Sequence, residues 1–304
     1  MIINQQSLQD LFVAFNAAFK AAFSDAVSHV DRVAMRTNSS TTEEVYAWLG
    51  QFPALREWLG DRHIKGLQAH SFRILNRRFE STVGVPRDNI SDDRYGVFAP
   101  MFSEMGRLAK QHPDELIFAL LADGETAPGY DGQPFFDTEH PSWDAAGKEA
   151  LVSNVEAGGG PPWYLIDTSK AVKPLIFQVR EEYAFTAITA PEDVHVFLKD
   201  EYLYGCRARV NAGFGLWQLA FKSNDTLTPE NYEAARAAMQ ALRGDGGRLM
   251  GIVPNLLVVP ATLEGAARRL LKTQLRTVDN EGALAGVSNE WMDSAELIVV
   301  PQLG

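Results

Sequence analysis

An α+β fold is predicted by three features of the sequence. Two long segments, residues 7–35 and 92–122, carry apolar residues at helical spacing; strand-like runs crowd residues 163–221; and a helix–strand–helix succession follows over residues 229–275. The chain of 304 residues is long enough for two domains at about 150 residues each. Hydrophobic residues at 46% and charged residues at 22% exclude a disordered or fibrous protein. With 28 Lys and Arg against 39 Asp and Glu, the formal charge is −11, which disfavours a general nucleic-acid binder. A single cysteine, Cys206, excludes an intramolecular disulfide and any Cys-rich zinc site. The first basic residue is Lys20, so no secretory signal is expected, and no run approaches ~18 uninterrupted apolar residues, so no membrane partner is expected.

Residues 7–35 read as one amphipathic helix, N-capped by Ser7, with Leu8, Leu11, Phe12, Phe15, Phe19, Phe23, Val27 and Val30 along one stripe. Four phenylalanines on one stripe read first as core, although a helix at this end of the chain, followed by the polar break Thr37–Thr42, often buries its stripe against something other than its sequence neighbours. Thr42 then begins a shorter helix ending near Gly50. Two partly alternating runs within residues 66–85 predict a β-hairpin turning at Asn76. The window Arg62–Phe79 holds Arg62, Lys65, Arg73, Arg77 and Arg78 and no acidic residue, the one strongly basic stretch in an acidic chain.

From Asp92 a long helix is expected, with a kink or restart at Pro100 and Pro113 and an end at Gly124. Residues 123–162 are loop-rich. Strands are predicted at Trp163–Ile166, Leu175–Val179, Tyr183–Ile188, Val194–Leu198 and within Ala208–Phe221. A helix over Pro229–Leu242, a strand at Leu256–Val259, a helix over Leu263–Leu275 and a closing strand at Leu297–Val300 complete the chain.

Catalytic patterns are not met. Gly124–Gly129 has phosphate-loop spacing, but Tyr130 and Asp131 stand where Lys and Ser or Thr are needed. Gly213-Phe-Gly215 is not followed by a helix, so the dinucleotide fingerprint fails, and no Gly-x-Ser-x-Gly elbow occurs. Asp137, Glu139 and His140 could begin a metal site, but an acid-rich loop yields such clusters by composition, and that reading is preferred. His112 and His195 read as surface or capping residues, and Cys206 as a small buried apolar group.

Six phrases occur in one order: Tyr130-Asp-Gly-Gln-Pro-Phe-Phe-Asp-Thr-Glu-His-Pro141, Trp163-Tyr-Leu-Ile-Asp-Thr-Ser, Lys173-Pro-Leu-Ile-Phe-Gln178, Asp200-Glu-Tyr-Leu-Tyr-Gly205, Asn211-Ala-Gly-Phe-Gly-Leu-Trp-Gln-Leu-Ala220 and Asn255-Leu-Leu-Val-Val-Pro-Ala-Thr-Leu-Glu264. Over nearly the whole chain the sequence resembles the Mu-like phage and prophage major head subunits. That resemblance implies a major capsid protein of the Hong Kong-97 type fold, located in the virion and in the host cytoplasm during assembly. It implies pentamers and hexamers of the chain itself in an icosahedral shell around double-stranded DNA, which the acidic chain would touch only weakly and non-specifically. A separate scaffold, a head protease and a portal are the further implied partners, with no cofactor and no catalytic centre; no extra N-terminal scaffolding segment is seen. Mapped on that fold, residues 1–61 become N-terminal arm helices, 62–91 an extended hairpin loop, 92–228 the spine helix with mainly peripheral-domain strands, and 229–304 mainly the axial domain.

Two rival readings remain at this stage: another virion head component such as a portal or minor head protein, and a metal-dependent hydrolase built on Asp137, Glu139 and His140. The charge map adds an expectation of inter-subunit contact. Arg73, Arg77 and Arg78 are expected to dock on a neighbour's acidic residues 123–144, with Asp137 and Glu139 foremost. The stripe Phe12, Phe15, Phe19 and Phe23 is expected to dock as an arm on a neighbour or on the subunit's own outer domain, and to be mobile before assembly.

Overall fold

Apolar spacing, caps and strand pairing account for the elements of the computed structural model, which describes residues 5–47, 49, 72–92, 96–244, 247–280 and 283–304. Helix α1 (Gln5–Asp25) is followed by the single turn α2 (Val30–Val33) and strand β1 (Ala34–Asn38). The helix expected over residues 7–35 therefore stops ten residues early. Asp114, from the later helix α4 (Ala99–Ala122), accepts hydrogen bonds from the Ser28 hydroxyl at 2.7 Å and the His29 amide at 2.8 Å, and this fixes the break. The segment Gln5–Val33 is apolar and long enough by composition to cross a bilayer. Here Phe15 and Phe19 are only 2% and 3% exposed, packed against the chain's own α4 and a long sheet.

Residues 43–45 form a strand, not the start of a helix. Strand β2 (Glu43–Val45) pairs antiparallel with β3 (Arg73–Leu75) in the register Glu43↔Leu75 to Val45↔Arg73. The hairpin expected to turn at Asn76 is corrected on the same evidence: β3 and the following β4 (Arg77–Pro86) do not pair with each other. Instead β4 joins β10 (Glu201–Phe214), antiparallel, in the register Arg77↔Val210 to Pro86↔Glu201. Asn76 is a junction between two sheets. Most of the stretch between β2 and β3, Arg62 and Lys65 included, lies outside the described residues.

After the short α3 (Arg87–Asp92), α4 runs through Pro113 without a break; Pro100 sits in its first turn, where no amide partner is needed. Strands β5 (His140–Trp143), β6 (Glu149–Val152), β7 (Val155–Glu156) and β8 (Trp163–Ile166) follow. The two runs expected at 175–179 and 183–188 are one strand, β9 (Leu175–Ile188). The strand expected at Val194–Leu198 is a helix, α5 (Val194–Lys199): Asp193 caps it by accepting from the His195 amide at 2.9 Å, and Asp200 ends it in the left-handed region at φ 51°. Then come β11 (Ala220–Ser223), α6 (Pro229–Gln240), β12 (Leu256–Val259), α7 (Glu264–Lys272), the paired β13 (Leu275–Asn280) and β14 (Ala283–Ser288), and β15 (Glu296–Val299).

Two sheets organise these elements. One has the order β1-β9-β10-β4 and carries α1 and α4; the other has the order β15-β12-β8-β11-β7. The continuous core spans both, with Trp163, Tyr164, Trp217 and Leu257 fully buried. A second cluster lies under α1, where Phe15, Phe19, Phe102, Phe185 and Tyr204 pack ring against ring, Phe15 to Phe102 at 4.4 Å.

Candidate functional site

The described residues contain no group of three His, Cys, Asp or Glu side chains placed to hold a metal. The Asp137 carboxylate accepts from the amide of Glu139 at 2.9 Å, closing its own turn. His140 faces away from both, into the core: it stacks on Trp217 at 4.0 Å, and its Nδ1 lies 2.8 Å from the nearly buried Asp131 carboxylate. His112 is half-buried, its Nδ1 lying 2.6 Å from the Tyr183 hydroxyl and its ring packing on Phe79. Burial holds its pKa below the ordinary histidine range. Cys206 is buried on β10, and burial pushes its thiol up to about 11.

The densest polar construction is structural. Gln178, fully buried on β9, accepts from the Tyr46 hydroxyl at 2.9 Å and donates to the Ile74 carbonyl at 3.0 Å and to the Asn76 side-chain oxygen at 2.8 Å. Asn76 in turn donates to the Ser39 hydroxyl at 2.8 Å and the Thr41 carbonyl at 2.9 Å. The Thr37 hydroxyl lies 2.8 Å from that of Tyr46, completing the set. Four segments of chain, residues 37–41, 46, 74–76 and 178, are thereby clamped together beside β2 and β3. A buried amide with every polar atom satisfied fixes one arrangement, because any other orphans several groups at once.

Of the basic residues, Arg73 pairs with Glu43 at 3.3 Å across β2 and β3. Arg77 lies over the Phe79 ring at 5.2 Å, and Arg77 and Arg78 are exposed on β4. Of the acidic region, Glu125 pairs with the buried Lys222 at 2.8 Å and Asp131 is committed to His140, whereas Glu139 is exposed. Among the described residues no ion pair joins Arg73, Arg77 or Arg78 to Asp137 or Glu139 within one chain. Phe12 and Phe23 are partly buried beside Phe15 and Phe19, Phe12 stacking on Phe185 at 5.8 Å.

Two long strands, a long helix and a buried polar clamp make a structural body, and the relatives are structural proteins. The profile of the Mu-like prophage major head subunit gpT matches residues 8–303. The chain belongs to this family. It is 43% identical to the major capsid protein of Escherichia phage Mu, with all of both chains covered. It is 40% identical to the Mu-like prophage FluMu major head subunit of Haemophilus influenzae, over 89% of this chain and 92% of that one. Among solved structures, the procapsid of bacteriophage JBD30 superposes with a TM-score of 0.80 at 47% identity, covering 90% of this chain and 93% of that one. The JBD30 capsid gives 0.74 at 33%, with both chains fully covered.

As a Mu-like major head subunit the protein is a major capsid protein with the Hong Kong-97 type fold, and its place is the virion shell. The family is a structural one, which fits side chains turned to capping, stacking and clamping. The clamp around Gln178 was not foreseen. Its signal was the run Ser39, Tyr46, Asn76 and Gln178, polar residues at positions where a strand or its flank is otherwise apolar.

Proposed function

We propose that this head subunit assembles with copies of itself into the pentamers and hexamers of an icosahedral shell enclosing double-stranded DNA. The supporting observation is the superposition on the JBD30 capsid over the full length of both chains. Scaffold and head protease act with it during assembly, the portal takes one position in the shell, and packaged DNA meets a wall whose net charge of −11 keeps the contact weak. The protein has no catalytic role. In domain terms, the arm is drawn from residues 1–61 and the extended loop from 62–91, apart from the strands β1 to β4 that these ranges contribute to the sheets, while 92–228 supply the spine and most peripheral strands and 229–304 form most of the axial part. Arg73, Arg77 and Arg78 meet acidic surface on a neighbouring subunit, Asp137 and Glu139 included. Quantitative protein analysis of purified particles tests the role: this chain should dominate their protein mass. A content of only a few copies per particle would instead make it a portal or minor component.

A further inference from the structure

Strand β15 closes one side of the second sheet, pairing only with β12. The Glu296 amide donates to the Asn255 carbonyl at 2.9 Å and the Val300 amide to the Val259 carbonyl at 2.8 Å. With the two-residue period of a strand, the N–H and C=O groups of Leu297 and Val299 therefore face away from the sheet. A groove runs along that bare edge, lined by Leu297 and Val299, by Arg32 of α2 and by Arg268 and Lys272 of α7. Arg32 pairs there with Glu296, Arg268 with Glu264 and Lys272 with Asp293. Strand β6 carries a second bare edge. It pairs only with β5, Pro141 opposite Leu151 and Ser142 opposite Ala150. The Asp144 amide donates to the Lys148 carbonyl at 2.8 Å, and Pro141 has no N–H to offer. By alternation Glu149 and Leu151 turn their backbone groups outward. Glu149 is exposed and joins no ion pair among the described residues, and Leu151 is 65% exposed.

We infer that β6 of one copy adds to β15 of the next, head to tail, extending the second sheet from subunit to subunit. The inference rests on the proposed shell. A bare strand edge asks first for an extended backbone, and the two edges match: each is a strand of 4 residues with two residues' backbone groups unpaired. Side chains then select the occupant. Glu149 meets Arg268 and Lys272, while Leu151 covers Leu297 and Val299. Self-pairing of either edge would instead set like charges together, Arg268 and Lys272 in one case and Glu149 in the other. Glu264, Asp293 and Glu296 beside the cations disfavour a phosphate backbone in the groove. So short a pairing is marginal by itself and belongs to subunits already held side by side. A contact between two different edges closes into a ring about a rotation axis, as pentamers and hexamers require.

The test places Leu151→Cys and Leu297→Cys together in a Cys206→Ser background, assembled into shells and treated with a short bis-maleimide. A ladder of covalent oligomers running up to pentamers and hexamers is expected. Either cysteine alone should give only monomers, as should the double variant when dilute and unassembled. Dimers from a single variant would overturn the head-to-tail contact. Shells that form but give no ladder would overturn the inference while leaving the shell proposal standing. If the unsubstituted chain forms no shells at all, both fall. As a second measurement, Arg268→Glu with Lys272→Glu changes two exposed side chains and should leave the subunit folded. It should cut shell yield by about tenfold at a concentration where the unsubstituted chain just assembles, and Glu149→Lys should restore part of it. An unchanged yield, or a loss that Glu149→Lys leaves untouched, would likewise overturn it.

Discussion

Gly106 of α4 lies against the backbone of Phe19 in α1: a Cβ at Gly106 would overlap the Phe19 carbonyl oxygen and stand 3.1 Å from its Cα. The two helices approach there more closely than any side chain allows, and the phenylalanine stripe is seated on α4 and β9 as a result. Gly106→Val should force the helices apart and destabilise the subunit by ~1–3 kcal/mol. Chemical denaturation checks it; a midpoint within error of the unsubstituted chain would contradict the packing described here.

The same packing fixes an expectation for the arm. Phe12, Phe15, Phe19 and Phe23 lie on their own subunit, one of the two placements anticipated for a docking arm. Amides of residues 8–25 should therefore be well protected from hydrogen exchange in unassembled protein, with little further gain in shells. Weak protection that becomes strong only on assembly would mean that α1 finds its seat on a neighbour.

Gln178→Leu keeps the approximate volume and removes the hub of the loop clamp. The Tyr46 hydroxyl, the Ile74 carbonyl and Asn76 would each lose a buried partner, at ~1–3 kcal/mol for every group left unsatisfied. Stability should fall by at least one such increment in a denaturation experiment, and limited proteolysis between β2 and β3 should quicken. Equal stability and equal cleavage would show that the network contributes nothing net.

Burial sets the chemistry of Cys206. Its thiol pKa is raised to about 11 from 9.0, so the folded state holds its proton where the unfolded chain has begun to lose it. The unfolded state binds fewer protons across pH 9 to 11, and stability from this group falls as pH rises through that window. Alkylation at pH 8 should be slow in the folded protein and quicken on unfolding, while Cys206→Ser should still form shells. Fast alkylation of the folded protein would contradict the burial. Loss of assembly with a normal subunit fold would place the thiol in an interface.

Charge reversal addresses the exposed arginines of β4. Arg77→Glu with Arg78→Glu should leave the subunit folded, because both side chains are exposed, and should suppress shell formation. Each exposed pair contributes only ~0.2–1 kcal/mol and is screened over about 8 Å in physiological salt, but in the proposed shell the contact would recur at every subunit. Asp137→Lys with Glu139→Lys should restore part of the yield. Assembly of the double reversal at the unsubstituted level, in low and moderate salt alike, would reduce these arginines to solvated surface.

Much of this fold was legible where the signal is local. Trp163–Ile166 and Leu256–Val259 are short unbroken apolar runs, and both are central strands of the second sheet. The helix after Pro229 carries its cap, Thr228 accepting from the Asn231 amide at 3.2 Å. What escaped was set by distant partners. Glu43–Val45 becomes a strand only because Arg73–Leu75, nearly thirty residues on, lies beside it. Asn76 looked like a turn because it is a polar residue between two alternating runs, yet its side chain faces inward to Gln178. In Val194–Lys199 the β-branched and aromatic residues spoke for a strand, and the flanking Asp193 and Asp200 were the overlooked cap signals. The residues turned toward other subunits are the least legible of all, since one chain gives them no buried periodicity to betray.

Electron microscopy of the protein expressed together with its scaffold partner tests the central claim most directly. The account predicts closed, uniformly sized shells built from this chain. Persistent discrete small oligomers, with no shells under any salt condition, would contradict it.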